Sequence, residues 1–335
     1  MTANLQPIAV HTPASWQQEL ADMIRDPAEL LHLLELPKRW LPGAQAAAEL
    51  FDLRVPRPFA ARMEKGNIND PLLKQVLPVT EEHVLTPGYS ADPLAEQDSN
   101  PQSGLIHKYH GRVLLVIAPS CAVNCRYCFR RHFPYADNNP GRHQWQTVLD
   151  TIRRDKSIRE VIFSGGDPLM CGDRQLAELV NELTNIPHIK RLRVHSRLPV
   201  VIPQRITDDS LNWLTALPSV MVLHINHPNE IDEQLRQTIE RLRDAGVWVL
   251  NQSVLLKGVN DCAETLARLS ERLFDCGVQP YYLHLLDRVQ GAAHFAVDDT
   301  DARALYQTLQ TRLPGFLVPK LAREEPGAAA KTLIL

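Results

Sequence analysis

Arg112-Val-Leu-Leu-Val-Ile-Ala-Pro119 is a short, nearly continuous apolar run, and Cys121-Ala-Val-Asn-Cys125-Arg-Tyr-Cys128 follows after one intervening residue. Such a run reads as a buried parallel strand. Similar runs recur at Glu160–Phe163, Arg191–Val194, Val220–Ile225, Val247–Val254 and Pro280–Leu286. Helical stretches lie between most of them, at His143–Arg154, Asp173–Leu183, Glu230–Ala245 and Ala263–Cys276. Strands alternating with helices predict an α/β fold built on a parallel sheet. About six such units are too few for a complete eight-unit barrel, so a partial barrel or an open sheet is expected. In either, function belongs at the carboxyl ends of the strands. Cys121–Arg131, Ser164-Gly-Gly-Asp-Pro168, His195-Ser-Arg197, His224-Ile-Asn-His-Pro-Asn229 and Asp287 all fall there.

Upstream, residues 1 to about 104 read as a helical lead-in. Ser15 with Gln18 forms a capping-box pattern, and Leu20–Leu36 and Ala46–Leu53 carry apolar residues at helical spacing. Pro56, Pro58, Pro71, Pro78 and Pro87 interrupt the chain, and Tyr89–Ser103 reads as an extended crossing segment. The 36 Lys and Arg residues against 39 Asp and Glu give a formal charge of −3. That is not the footprint of a protein that grips nucleic acid. The longest apolar runs fall short of the roughly 20 residues that span a membrane. Met1–Ser15 lacks the pattern of a secretion signal, so a cytoplasmic location is expected.

Six cysteines in 335 residues are too few for a disulfide framework. Cys121, Cys125 and Cys128 are clustered as C-x3-C-x2-C, whereas Cys171, Cys262 and Cys276 are scattered and read as buried free thiols. Three thiolates on one loop suit an iron–sulfur cluster with one iron left open for a ligand. Zinc, with His132 as a fourth ligand, and three unligated thiols are the alternatives.

The cysteine spacing, with Tyr127 before the last Cys, resembles the signature of the radical S-adenosylmethionine superfamily. Ser164-Gly165-Gly166-Asp167 is similar to that superfamily's glycine motif. Further segments resemble the lysine 2,3-aminomutase family: Cys125–Phe133, Phe163–Leu169, His224–Glu230, Asn251–Leu256, Asp70-Pro-Leu72 with Gln75–Pro78, and Gly104–Tyr109. The matches run from about residue 50 to the end.

This resemblance implies three parts: a helical region and crossing segment (1–104), a radical SAM partial barrel (105–290) and a cofactor-binding carboxyl-terminal segment (291–335). It implies a [4Fe-4S] cluster on Cys121, Cys125 and Cys128, S-adenosylmethionine beside Ser164, Gly165, Gly166, Asp167 and Gln252, and pyridoxal 5'-phosphate on Lys331. Lys320 is the competing candidate, and Arg112 matches a family arginine that contacts pyridoxal phosphate. Arg130 matches the arginine for the substrate carboxylate, and Asp287 and Glu324 match two acids for a cationic side-chain terminus. His195, Arg197, His224 and His227 are expected around the same mouth. The implied reaction moves the amino group of L-lysine from C2 to C3.

Longer family members that act on free lysine carry a carboxyl-terminal extension. This chain ends four residues after Lys331 and resembles the bacterial branch that makes (R)-β-lysine for elongation factor P. That implies a β-lysine ligase and an electron donor as functional partners. An aminomutase for another amino acid, a radical enzyme without pyridoxal phosphate, and a zinc-binding interaction protein are the rival expectations.

Overall fold

Leu105–Tyr109 (β1) and Arg112–Ala118 (β2) pair antiparallel across a tight turn. Gly111 supplies the left-handed backbone there, with φ of 76°. From β2 the sheet continues in chain order and parallel through β3 (Glu160–Gly165), β4 (Arg191–Ser196), β5 (Ser219–His224), β6 (Trp248–Val254), β7 (Gln279–His284) and β8 (Lys320–Arg323). Thr332–Leu333 (β9) closes the row antiparallel to β8. The computed structural model describes residues 15–96, 99, 102–134 and 142–334. Residues 1–14, read above for a secretion signal, and residues 97, 98, 100 and 101 of the crossing segment lie outside them.

Among the described residues four α-helices precede the sheet: α1 (Trp16–Ala21), α2 (Pro27–Leu33), α3 (Leu41–Leu50) and α4 (Arg57–Ala60). Ser15 and Gln18 form the expected capping box at α1. The periodicity over Leu20–Leu36 is not one helix, because Asp26 caps a new start and Pro27 takes its first position. The crossovers carry α5 (Arg142–Arg154), α6 (Asp173–Thr184), α7 (Leu198–Val201), α8 (Asp208–Leu214), α9 (Glu233–Asp244), α10 (Ala263–Asp275) and α11 (Asp299–Arg312). All six expected strands form. A seventh parallel strand, β8, extends the sheet past residue 290, so the segment after it completes the sheet rather than standing apart. Among the described residues no helix is long and apolar enough to cross a membrane.

The strands are not buried on both faces as their apolar runs suggested. Val161, Phe163, Leu192, Val194, Leu223 and Leu283 are fully buried on the helix side. Their alternating neighbours Glu160, Ile162, Ser164, Arg193, His195, His224, Tyr282 and His284 line a cavity of about 520 Å³. Residues of all nine strands contribute to that wall, so the sheet must curve around it. The two-residue period of a strand thus separates an apolar outer face from a polar inner one. A main core under the helices is shared with the amino-terminal region through Phe59, Leu72, Leu73 and Val76. A second core packs α10 and α11 against β7 and β8 through Leu266, Leu283, Leu309 and Leu321.

Candidate functional site

The cysteine loop leaves β2 at the carboxyl end of the sheet and is held from behind by the amino-terminal region. Arg126 and Arg131 both donate to the buried Glu82, each by a contact of 2.6 Å to Oε2. The Arg126 backbone donates to the Gln75 carbonyl, and that of Asn124 donates to Arg54. Cys121, Cys125 and Cys128 are half-buried and line the cavity. Burial pushes the Cys121 thiol well above its ordinary pKa and Cys128 to about 11, and the neighbouring Cys125 adds to both. Arg197 Nη1 lies 2.9 Å from Cys125 Sγ, and its other terminal nitrogen bonds Gln75 and Glu230.

Among the described residues no three Cys, His, Asp or Glu side chains converge as a single metal ion would need. A cluster that offers each thiolate its own iron needs no such convergence. His132, the candidate fourth zinc ligand, turns Nε2 to the Gln290 carbonyl at 3.2 Å.

Gly165 and Gly166 lie against the base of this loop. Gly166 N–H donates to the Ala118 carbonyl at 2.8 Å and Asp167 N–H to the Ser120 carbonyl at 2.9 Å. A Cβ on Gly166 would lie 2.5 Å from the Ser120 oxygen. Gly165 combines a φ of 116° with a 2.9 Å approach to the Ala118 oxygen. Both glycines are therefore needed to dock backbone on backbone.

Asp167 borders the cavity at its edge, but its carboxylate is held by the protein. Its carboxylate accepts from Ser196 Oγ and from the Leu169, Arg197 and Leu198 amides. Its buried side chain thus ties the end of β3 to the end of β4 and the start of α7. Ser164, Gly165, Gly166 and Asp167 all line the cavity, and Ser164 takes a 3.2 Å bond from Arg130 Nη1.

Lys331 approaches the opposite wall. Its Nζ is 2.6 Å from Glu324 Oε2 and 5.8 Å from the Tyr282 ring centre. Lys108 holds the other oxygen of Glu324 at 3.1 Å. Burial would raise the Glu324 pKa, but Lys331 and Lys108 overcome it and hold it near about 2. Asp287 behaves oppositely, because burial and then the Glu324 charge push it up to about 7. Lys320 also borders the cavity, from an exposed position at the start of β8.

His195, His224 and His284 line the floor. Burial depresses all three, His224 and His284 to about 3, so their rings are neutral. Gln252 Nε2 meets His224 Nε2 at 2.9 Å. Arg112 lies over the Tyr109 ring at 4.7 Å. His195 Nε2 and Arg193 Nε are buried without a hydrogen-bond partner in the protein. His227 is turned away from the wall, its Nδ1 accepting from the Asn229 amide.

Sequence reasoning missed Glu96, Lys108 and Arg193 as lining residues, and the buried network in which Asn226 Nδ2 donates to Gln75 Oε1 at 2.9 Å and to Tyr127 Oη at 2.6 Å, and Gln75 Nε2 donates to Glu230 at 3.1 Å. The alternation Arg191-Leu-Arg193-Val-His195 was the available signal for Arg193.

Thiols, an ion-paired lysine and paired acids around one curved parallel sheet define a class, and comparison with known proteins agrees. The model of the Radical SAM superfamily matches residues 115–269. The chain is 54% identical over 330 residues to an L-lysine 2,3-aminomutase of Escherichia coli (strain K12), covering 97% of this chain and 96% of that one. It is 53% identical to the Haemophilus influenzae L-lysine 2,3-aminomutase, covering 95% of each, and 45% identical to that of Buchnera aphidicola subsp. Baizongia pistaciae, again covering 95% of each. The chain belongs to the lysine 2,3-aminomutase family of radical SAM enzymes.

Proposed function

We propose that this protein is an isomerase that converts (S)-α-lysine to (R)-β-lysine, and that its product is passed to a ligase that modifies elongation factor P. The observation that carries the reaction is a single cavity bordered by Cys121, Cys125 and Cys128, by Lys331, and by Asp287 with Glu324. Family membership adds the same reading. The link to elongation factor P rests on the resemblance set out above.

The residues present suit the groups the family implies. Three half-buried thiols on one loop suit a [4Fe-4S] cluster. Lys331, with the unpartnered Arg193 Nε and His195 Nε2, suits pyridoxal phosphate. When bound, the cluster with S-adenosylmethionine supplies a hydrogen-abstracting radical, and pyridoxal phosphate supplies the acceptor through which nitrogen passes from C2 to C3.

The chain's own residues bind and orient. Arg112 and Arg193, the latter also paired with Glu160, offer positive charge to a phosphate, and Ser164, Gly165, Gly166, Asp167 and Gln252 border S-adenosylmethionine. Neutral His195, His224 and His284 hydrogen-bond without adding charge that would repel a cationic substrate. Arg130 is assigned to the substrate carboxylate, Asp287 and Glu324 to its side-chain ammonium.

The deciding experiment is an anaerobic reaction of reconstituted protein with pyridoxal phosphate, S-adenosylmethionine, a strong reductant and equimolar α-amino acids. β-Lysine alone among the products is the expected result. A β-isomer of another amino acid would reassign the substrate, and 5'-deoxyadenosine without any β-amino acid would remove free lysine from the reading.

Asp287 gives a pH test. With a pKa of about 7 it is neutral below that value and loses its attraction for ammonium. The KM for lysine is expected to rise about tenfold as pH falls from about 8 to about 6. Asp287→Asn should start at the higher KM and remove that dependence. A KM that Asp287→Asn leaves unchanged at about pH 8 would exclude Asp287 from the substrate contact.

A further inference from the structure

Arg130 is already engaged by a carboxylate. Its Nε donates to Glu96 Oε2 at 2.6 Å and its Nη2 to Glu96 Oε1 at 2.8 Å. The remaining terminal nitrogen, Nη1, faces Ser164 Oγ and the Gly165 carbonyl, both at 3.2 Å. A guanidinium recognises a carboxylate best through two parallel N–H bonds along one edge. Glu96 occupies such an edge, and the other terminal nitrogen is turned to the glycine motif. A second carboxylate beside the first would add like charge in a buried place.

Glu96 itself is nearly sealed, at 3% exposure, yet borders the cavity. The residue before it, Ala95, has a φ of 46°, a left-handed conformation that residues with a Cβ disfavour. The backbone therefore accepts a disfavoured conformation immediately before the side chain that reaches Arg130. A second cation is also within reach, because Lys108 Nζ is 3.2 Å from Glu96 Oε1. Glu96 can leave Arg130 without losing its only counter-charge.

We propose that Glu96 is a built-in stand-in for the substrate's α-carboxylate: it holds the Arg130 fork and yields it, turning to Lys108, when an α-amino acid binds. The inference rests on the assignment of Arg130 to that carboxylate. Glu96 is then a positioning residue that acts through Arg130. It keeps the fork aligned and dry, and it makes entry conditional on a ligand carboxylate able to compete. An internal competitor reduces apparent affinity by the fraction of time the fork is free.

The test compares two ligands that differ only at the group in question. Protein loaded with pyridoxal phosphate is titrated with L-lysine and with L-lysinamide, which lacks the carboxylate. Binding is read from the cofactor's absorbance. The parent should prefer lysine. Glu96→Gln should bind lysine about tenfold more tightly and lysinamide as before. Glu96→Asp, which keeps the charge but is one methylene too short for both edges, should fall between. It also serves if the Gln variant folds poorly.

A parent that binds the two ligands equally overturns the Arg130 assignment, and this inference with it. A parent that prefers lysine, with a Gln variant that binds it no more tightly, overturns the role of Glu96 alone. A purely structural role would weaken both ligands together.

Discussion

Lys331→Ala is expected to lower β-lysine formation by at least about 10³-fold while leaving the fold and the iron content intact. The loss would follow from removal of the amine assigned to the cofactor. A carbonyl cofactor of the kind the family implies would be held through a primary amine, which Lys331 would supply. Lys331 is suitably held: Glu324 fixes its Nζ at 2.6 Å and the Tyr282 ring lies beneath it. Removing it does not orphan Glu324, because Lys108 still holds the other carboxylate oxygen at 3.1 Å. The side chain is a quarter exposed, so truncation leaves no sealed cavity. Borohydride reduction of the loaded parent, followed by peptide mass spectrometry, should place the cofactor on Lys331. Label on Lys320 instead, or turnover retained in the Lys331→Ala variant, would move the attachment point.

The parts of this molecule that were legible in the sequence are those written locally. Six strands show as apolar runs, and the cysteine loop and glycine pair show as spacings within a few residues. What escaped is what the fold assembles from a distance. Glu96 meets Arg130 across 34 positions, and Lys108 meets Glu324 across 216. No periodicity records such a pair, because each partner looks like an ordinary solvated charge until the sheet curves. Strand β8 escaped for another reason: Lys320-Leu-Ala-Arg323 is four residues with charged ends, and only pairing with β7 makes it a strand. The glycine motif was legible as a site but not in its division of labour. Asp167 lines the cavity, and what the local signature does not record is that its carboxylate accepts from four donors of the protein.

The second large effect concerns the cysteines, where position rather than residue type decides. Alanine at any one of Cys121, Cys125 or Cys128 should abolish reductive cleavage of S-adenosylmethionine and leave anaerobically reconstituted protein well below the roughly four irons of a full cluster. These three thiols share one wall and one loop, and that loop is fastened by Arg126 and Arg131 to Glu82. With a thiolate gone, a cluster there would lose a ligand, and His132, directed at Gln290, is not placed to replace it. The other three cysteines form the control. Cys171 donates to the Ile117 carbonyl at 3.4 Å, Cys262 is exposed beside Thr265, and Cys276 packs in the main core. Burial raises the Cys171 and Cys276 thiols, which keeps them protonated and inert. Alanine at those three positions together should cost stability through Cys276, on the order of 1 kcal/mol, and leave iron and S-adenosylmethionine cleavage unchanged. Iron and acid-labile sulfide analysis of the four variants separates the two groups. Full iron in any of the first three would dismiss the loop as the cluster site. Zinc in place of iron and sulfide would dismiss radical chemistry altogether.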